Sequence, residues 1–149
     1  MKLSDFLHKD RVKILDPDCS KEDILNKLID FTAETYNFSD LEFVRGQIFH
    51  REKLMSTGIG LGLAIPHIRT DQVSNPVITI GIANEGISDY ETIDDKPIKI
   101  VFLIFVGKEQ HQIHVKLLSK IVTELKDPEF VEKLSLASSS DEIMEMLEG

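Results

Sequence analysis

Three residues in this sequence have side chains suited to handling a phosphoryl group: His67, His114 and Arg51. A neutral imidazole is both nucleophile and base near neutral pH. A guanidinium stays charged and presents a planar fork of N–H donors that matches phosphoryl oxygens. One imidazole would attack phosphorus, the second would hydrogen-bond a phosphoryl oxygen or the first ring, and the guanidinium would neutralise equatorial charge. Each residue also has a plainer reading. Arg51 could cap a helix end or pair with Glu52, and either histidine could simply pack or face solvent. Spacing alone does not show that the three meet.

Two other chemistries compete. His67, His111 and His114 could be three metal ligands, but H-x-x-H at 111–114 is a weak pattern and no H-E-x-x-H occurs. Gly58, Gly60 and Gly62 form G-x-G-x-G, which is neither a dinucleotide fingerprint nor a P-loop. Pro66 also forbids the helix those motifs need next. Neither a metal nor another cofactor is expected. Cys19 precedes a helix start, yet Asp16, Asp18, Glu22 and Asp23 crowd it, so it reads as an ordinary thiol.

The elements that must position these residues follow from periodicity. The segment 51–67, R-E-K-L-M-S-T-G-I-G-L-G-L-A-I-P-H, leaves a helix and passes through the glycines. It continues as a short strand, Leu63-Ala64-Ile65, and places His67 where that strand ends. Ser39-Asp40-Leu41-Glu42 reads as a capping box for a helix over 40–54 with Leu41, Val44, Ile48 and Met55 on its apolar face. Arg51 falls on the same line. An earlier helix over 21–36 is capped by Ser20 and carries Ile24, Leu25, Leu28, Thr32 and Tyr36 at helical spacing. Residues 2–8 suggest a helical turn, and residues 12–15 a short strand. Residues 77–83 read as a strand, Asn84-Glu85-Gly86 as a turn, and residues 87–90 as a further extended piece. Residues 98–106 are apolar except for Lys99, as in a central strand covered on both faces. A helix over 110–125 puts His114, Leu118, Ile121 and Leu125 on one inward line, with His111 a turn earlier. Asp127-Pro128 and Ser139 with Glu142 open two last helices. The alternation is that of an α/β fold.

The 149 residues suggest one domain, 1–149, large enough for a single core. No apolar run is long enough to span a membrane, and the N-terminus lacks a signal-peptide h-region, so a cytoplasmic protein, not membrane-embedded, is expected. One cysteine permits no internal disulfide. The net charge of −9 argues against nucleic-acid binding and requires any attraction for phosphate to be local.

The 51–67 segment resembles the signature of the fructose/mannitol-type IIA domain of the bacterial phosphotransferase system (PTS), a family that includes a nitrogen-regulatory branch. The likeness continues through I-D-D-K-P-I-K-I-V-F-L-I-F-V and H-V-K-L-L-S-K-I to the last helices. It implies a mixed, about five-stranded sheet flanked by helices on both faces. It implies that His67 accepts a phosphoryl group from phospho-HPr or its paralogue, that His114 supports it, and that Arg51 holds the active-site arginine position. His114-Val115 stands where the family has His-Leu, and His111 nearby competes for the supporting role. The acceptor would be a IIB cysteine in sugar transport or a regulated protein in the nitrogen branch. The S-T-G-I-G form and the absence of transport segments lean to the regulatory branch; a non-catalytic adaptor is the remaining alternative. Ile59, Leu61 and Ile68 are candidates for an apolar docking rim.

Overall fold

The computed structural model describes residues 2–148. Two 3₁₀ turns, Leu3–Phe6 and Lys9–Arg11, lead into β1 (Val12–Ile14). Then come α1 (Lys21–Ala33), α2 (Leu41–Leu54), β2 (Gly58–Gly60), β3 (Leu63–Ala64) and β4 (His67–Thr70). β5 (Val77–Ile87), β6 (Ile98–Gly107), α3 (His111–Glu124), α4 (Pro128–Ser135) and α5 (Ser140–Glu148) complete the order.

The strands form one mixed sheet in the order β1-β5-β6-β3-β2, with β4 also paired to β6. β1 runs parallel to β5, β5 antiparallel to β6, and both β3 and β4 parallel to β6. β3 pairs Ala64 with Val101, and β4 resumes the same register with His67 against Ile104. The two segments are thus one line along β6, interrupted at Ile65-Pro66. Pro66 has no N–H for the ladder, but its carbonyl accepts from the Ile104 N–H at 2.9 Å. A fold expected to have about five strands therefore has six, because proline divides one of them.

Alternation along β6 explains why both faces are dry. Ile100, Phe102, Ile104 and Val106 pack with residues of α3, α4 and α5, among them Leu117, Leu134 and Ile143. Val101, Leu103 and Phe105 pack with Leu25, Leu28, Val44 and Ile48 of α1 and α2. Each such side chain contributes about 1.5–3 kcal/mol by leaving water. Thr79, fully buried in β5, shares its hydroxyl with Thr32 at 2.5 Å, and Thr32 donates to the Leu28 carbonyl at 2.7 Å.

Several local expectations change. Asp40, not Ser39, caps α2 by accepting from the Phe43 N–H, because Glu42 is drawn to Arg45 instead. α1 stops at Ala33, and Tyr36 turns to donate to the Gln72 carbonyl. Asn84-Glu85-Gly86 does not end β5; the strand carries them through a register shift, with Gly86 at φ +83°, and reaches Ile87. Met55 is exposed because it lies beyond the last turn of α2.

The glycine segment is a hairpin. Gly60 faces Leu63 across the two-residue loop Leu61-Gly62, and both loop residues have positive φ, +60° and +78°. That is the requirement of a type I′ turn. Leu61 holds its left-handed backbone with an N–H bond to Asp94 Oδ2 at 2.8 Å.

Candidate active site

β4 begins at His67, so the histidine opens a strand instead of closing one. With period two, His67 and Arg69 project to one side of β4 and Ile68 to the other. Ile68 is buried against the α1–α2 face and, although it borders the cleft, offers little apolar surface for docking. Ile59 and Leu61 are half-buried and pack on the α3 side of the core.

His67, His114 and Arg51 line one open cleft of about 660 Å³, together with Gln47, Arg69 and Lys108. The three residues singled out by type and spacing are brought together. His111 lies exposed at the first residue of α3 and does not line the cleft. Among the described residues no three His, Cys, Asp or Glu side chains cluster as a metal site would need.

The orientation of His67 follows from one contact. Its Nδ1 lies 2.6 Å from the Ile65 carbonyl oxygen. A carbonyl only accepts, so Nδ1 must carry the proton and donate. The lone pair is then on Nε2. Pro66, between Ile65 and His67, holds φ near its fixed value and so fixes the geometry of this short loop. Burial pushes the His67 pKa below its usual value; the Ile65 bond opposes this, and the Arg51 charge adds to the lowering. The ring is therefore neutral near pH 7, the state in which it is a nucleophile.

His114 sits in the first turn of α3, and its ring meets that of His67 edge to face. Both of its nitrogens are sealed from solvent with no hydrogen-bond partner among the described residues. Burial first, then the positive fields of His67 and Arg69, lower its pKa to about 4. A neutral imidazole with an unused N–H beside the nucleophile can donate once an anion arrives.

Arg51 is held by its own helix: Nη1 donates to the Met55 carbonyl at 2.7 Å. It caps the helix end, as the plainer reading has it, and it also faces the cleft. It makes no pair with Glu52, which turns away and is buried. Among the described residues Arg51, Arg69 and Lys108 have no ion-pair partner. An acidic chain thus gathers three cations without an ion-pair partner around the His67–His114 pair, with Glu109 also on the lining of the cleft, and this gives the cleft a local attraction for anions that the net charge opposes elsewhere. With the strand expected to end at His67, Arg69 was missed from the sequence, although alternation along β4 puts it on the same side as His67; Gln47, also missed, has its place one helical turn before Arg51 as the signal that could have found it. Lys108 follows the end of β6 and carries no pattern of its own.

A match to the family model for the phosphoenolpyruvate-dependent sugar phosphotransferase system, EIIA 2, spans residues 5–149. The chain belongs to this family. The chain is 32% identical over 147 residues to the fructose-specific EIIABC component of Bacillus subtilis (strain 168), covering 99% of the chain but 23% of that protein. It is 31% identical over 136 residues to the fructose-specific EIIA component of Haloferax volcanii, covering 91% of the chain and 88% of that protein. The crystal structure of the nitrogen regulatory protein IIA-Ntr from Neisseria meningitidis superposes with a TM-score of 0.85 at 25% identity, covering 97% of the chain and 98% of that structure. Relatives thus come from both the sugar and the nitrogen-regulatory branches. No helix among the described residues is long and apolar enough to cross a membrane.

Proposed function

We propose that this protein is a cytoplasmic histidine phosphocarrier that takes a phosphoryl group on Nε2 of His67 from phospho-HPr or an HPr paralogue and passes it on. The observation that carries this reading is the Nδ1–Ile65 contact, which leaves the lone pair on Nε2 in a cleft lined by Arg51, Arg69 and Lys108. In the transfer, the Nε2 lone pair forms the new N–P bond while the donor's N–P bond breaks and its electron pair returns to the donor imidazole. No proton has to leave His67. Nδ1 keeps its hydrogen against the Ile65 carbonyl, so the product is a phosphorylated imidazolium whose N–P bond stays labile for onward transfer. Arg51 neutralises charge on the phosphoryl oxygens, Arg69 draws the anionic donor into the cleft, and His114 donates its free N–H.

The test is labelling with phosphoenolpyruvate, enzyme I and HPr, followed by mapping of base-stable, acid-labile phosphate. Label on His67, lost in His67→Ala, is expected. Full labelling of His67→Ala would overturn the assignment.

The acceptor divides the two branches. The S-T-G-I-G form leans to the regulatory branch. The Haloferax volcanii relative, named a fructose-specific EIIA component and matched over 88% of its length, weakens that lean and supports a transport reading with a separate IIB cysteine. The TM-score of 0.85 to IIA-Ntr supports the regulatory one. Discharge of the phosphorylated protein by a fructose IIB domain, at a rate matching its charging by HPr, would decide for transport. Retention of the label would decide for a regulatory carrier.

A further inference from the structure

Glu52 is 5% exposed, follows the active-site arginine directly, and takes no part in the cleft. A buried carboxylate needs several donors to compensate for lost water. Glu52 has three. Lys21 Nζ at the start of α1 lies 3.2 Å from Oε1, the Thr57 N–H donates to Oε1 at 3.1 Å, and the Thr57 hydroxyl donates to Oε2 at 2.5 Å. The hydroxyl has one proton and spends it on the carboxylate, so in its 2.8 Å contact with Tyr90 it must accept from the phenol. Burial raises the Tyr90 pKa, which keeps the phenol protonated and fit to donate. Lys21 also stacks over the Tyr90 ring, 4.4 Å from its centroid.

This knot ties α1, α2, β2 and the loop carrying Tyr90 to Thr57. Thr57 in turn holds the nucleophile's support. Its carbonyl accepts the Ile65 N–H at 3.1 Å, and the Ile65 carbonyl accepts the His67 Nδ1–H. Ile65 lies in the interruption between β3 and β4, and its N–H extends the β2–β3 pairing by one residue, so Thr57 anchors this segment on the side away from β6. Next to Thr57, a Cβ on Gly58 would lie 2.2 Å from the Glu91 carbonyl oxygen, so only glycine lets the loop close over the knot.

We propose that Glu52 is a positioning residue for phosphoryl transfer: through Thr57 and Ile65 it fixes the His67 ring with the proton on Nδ1 and the lone pair on Nε2. The proposal rests on the reading of His67 as the phosphoryl acceptor. Removing the knot frees the Ile65 carbonyl, lets the ring sample the other tautomer and orientations, and misplaces the nucleophile. Misplacement on the scale of an ångström lowers rates by up to about 100-fold.

The experiment compares Glu52→Gln, Thr57→Val and Thr57→Ser in the full chain. Two quantities are read: the ¹⁵N shifts of His67, which report its tautomer without any phosphotransfer, and the rate of charging by phospho-HPr. In Thr57→Val and Glu52→Gln the Nδ1–H tautomer should lose its dominance. Their maximal charging rate should drop by about 10- to 100-fold with little change in the KM for the donor. Thr57→Ser keeps the hydroxyl and should behave as wild type. Wild-type shifts and rates in a folded Thr57→Val protein would overturn the proposal, as would an equal loss in Thr57→Ser. If Glu52→Gln does not fold, the two Thr57 variants decide. A wild-type protein that takes no label from phospho-HPr would instead refute the phosphocarrier reading, while the ¹⁵N shifts would still decide whether Glu52 sets the tautomer.

Discussion

The rings of His67 and His114 lie 4.7 Å apart between centroids, inclined at 63°. Two imidazoles this close cannot both be charged without mutual repulsion, and the low His114 pKa of about 4 reflects burial and then that repulsion. A phosphoryl group on His67 would reverse the sign of the nearest field. His114 would then sit beside an anion bearing about two negative charges, and its pKa would rise. We expect His114 to titrate near or above the ordinary value of about 6.5 in the phosphorylated protein. An NMR titration of both forms reads this directly. A His114 pKa that stays near 4 after phosphorylation would exclude it as the donor to the phosphoryl group.

The same low values have a consequence for stability. Both histidines are held neutral in the fold, while in the unfolded chain they protonate as pH falls through about 6.5. Between that pH and the folded values the unfolded state binds more protons, so stability decreases as the solution is acidified. For His114 the loss continues to about pH 4, where the folded form protonates too. Thermal unfolding should therefore show a Tm that falls from pH 7 to pH 5. In His114→Phe, which keeps an aromatic ring and loses the titration, the slope should be shallower. An identical slope would mean that other groups dominate this window.

The three residues that meet in the cleft were readable because side-chain chemistry restricts residue type: an A-I-P-H segment, an inward histidine at a helix start, and an arginine on an apolar helical line. The sheet's centre was readable from the unbroken apolar run of β6, and the helices from their caps and period. What escaped depends on pairings between distant segments. Nothing local marks Pro66 as dividing a strand without shifting its register, since that is set by β6. Ile68 looked free beside the glycines, but period two turned it into the core. Glu52 read only as a candidate ion-pair partner of Arg51, and only the approach of Lys21 and Tyr90, far away in sequence, makes it a buried carboxylate.

Thr32 and Thr79 give a prediction that is independent of function. Both are fully buried, and one hydroxyl satisfies the other. Thr32→Val leaves the Thr79 hydroxyl without its partner and should destabilise by about 1–3 kcal/mol. Replacing both by Val removes the two polar groups together at nearly constant shape, so the double variant should be more stable than Thr32→Val alone. Denaturant melts of the three proteins test this; simple additivity of two destabilising effects would show that the pair is not coupled.

The two arginines of the cleft should not be equivalent. Arg51 is fixed by its bond to the Met55 carbonyl, so its fork is ordered before any phosphate arrives. Arg69 is exposed at its strand position and has no such anchor among the described residues. A pre-ordered cation stabilises developing charge without reorganising, whereas a free one must first lose side-chain entropy. Arg51→Ala should therefore lower the maximal rate of charging by roughly 100-fold, in the range of losing one oriented donor. Arg69→Ala should act mainly on the encounter, reducing kcat/KM by about tenfold and weakening its salt dependence. Arg51→Lys should recover little, because an ammonium has no planar fork to span the carbonyl and a phosphoryl oxygen together. Charging kinetics at two ionic strengths separate these roles. Equal effects on the maximal rate from both alanine variants would show that anchoring by Met55 gives Arg51 no advantage.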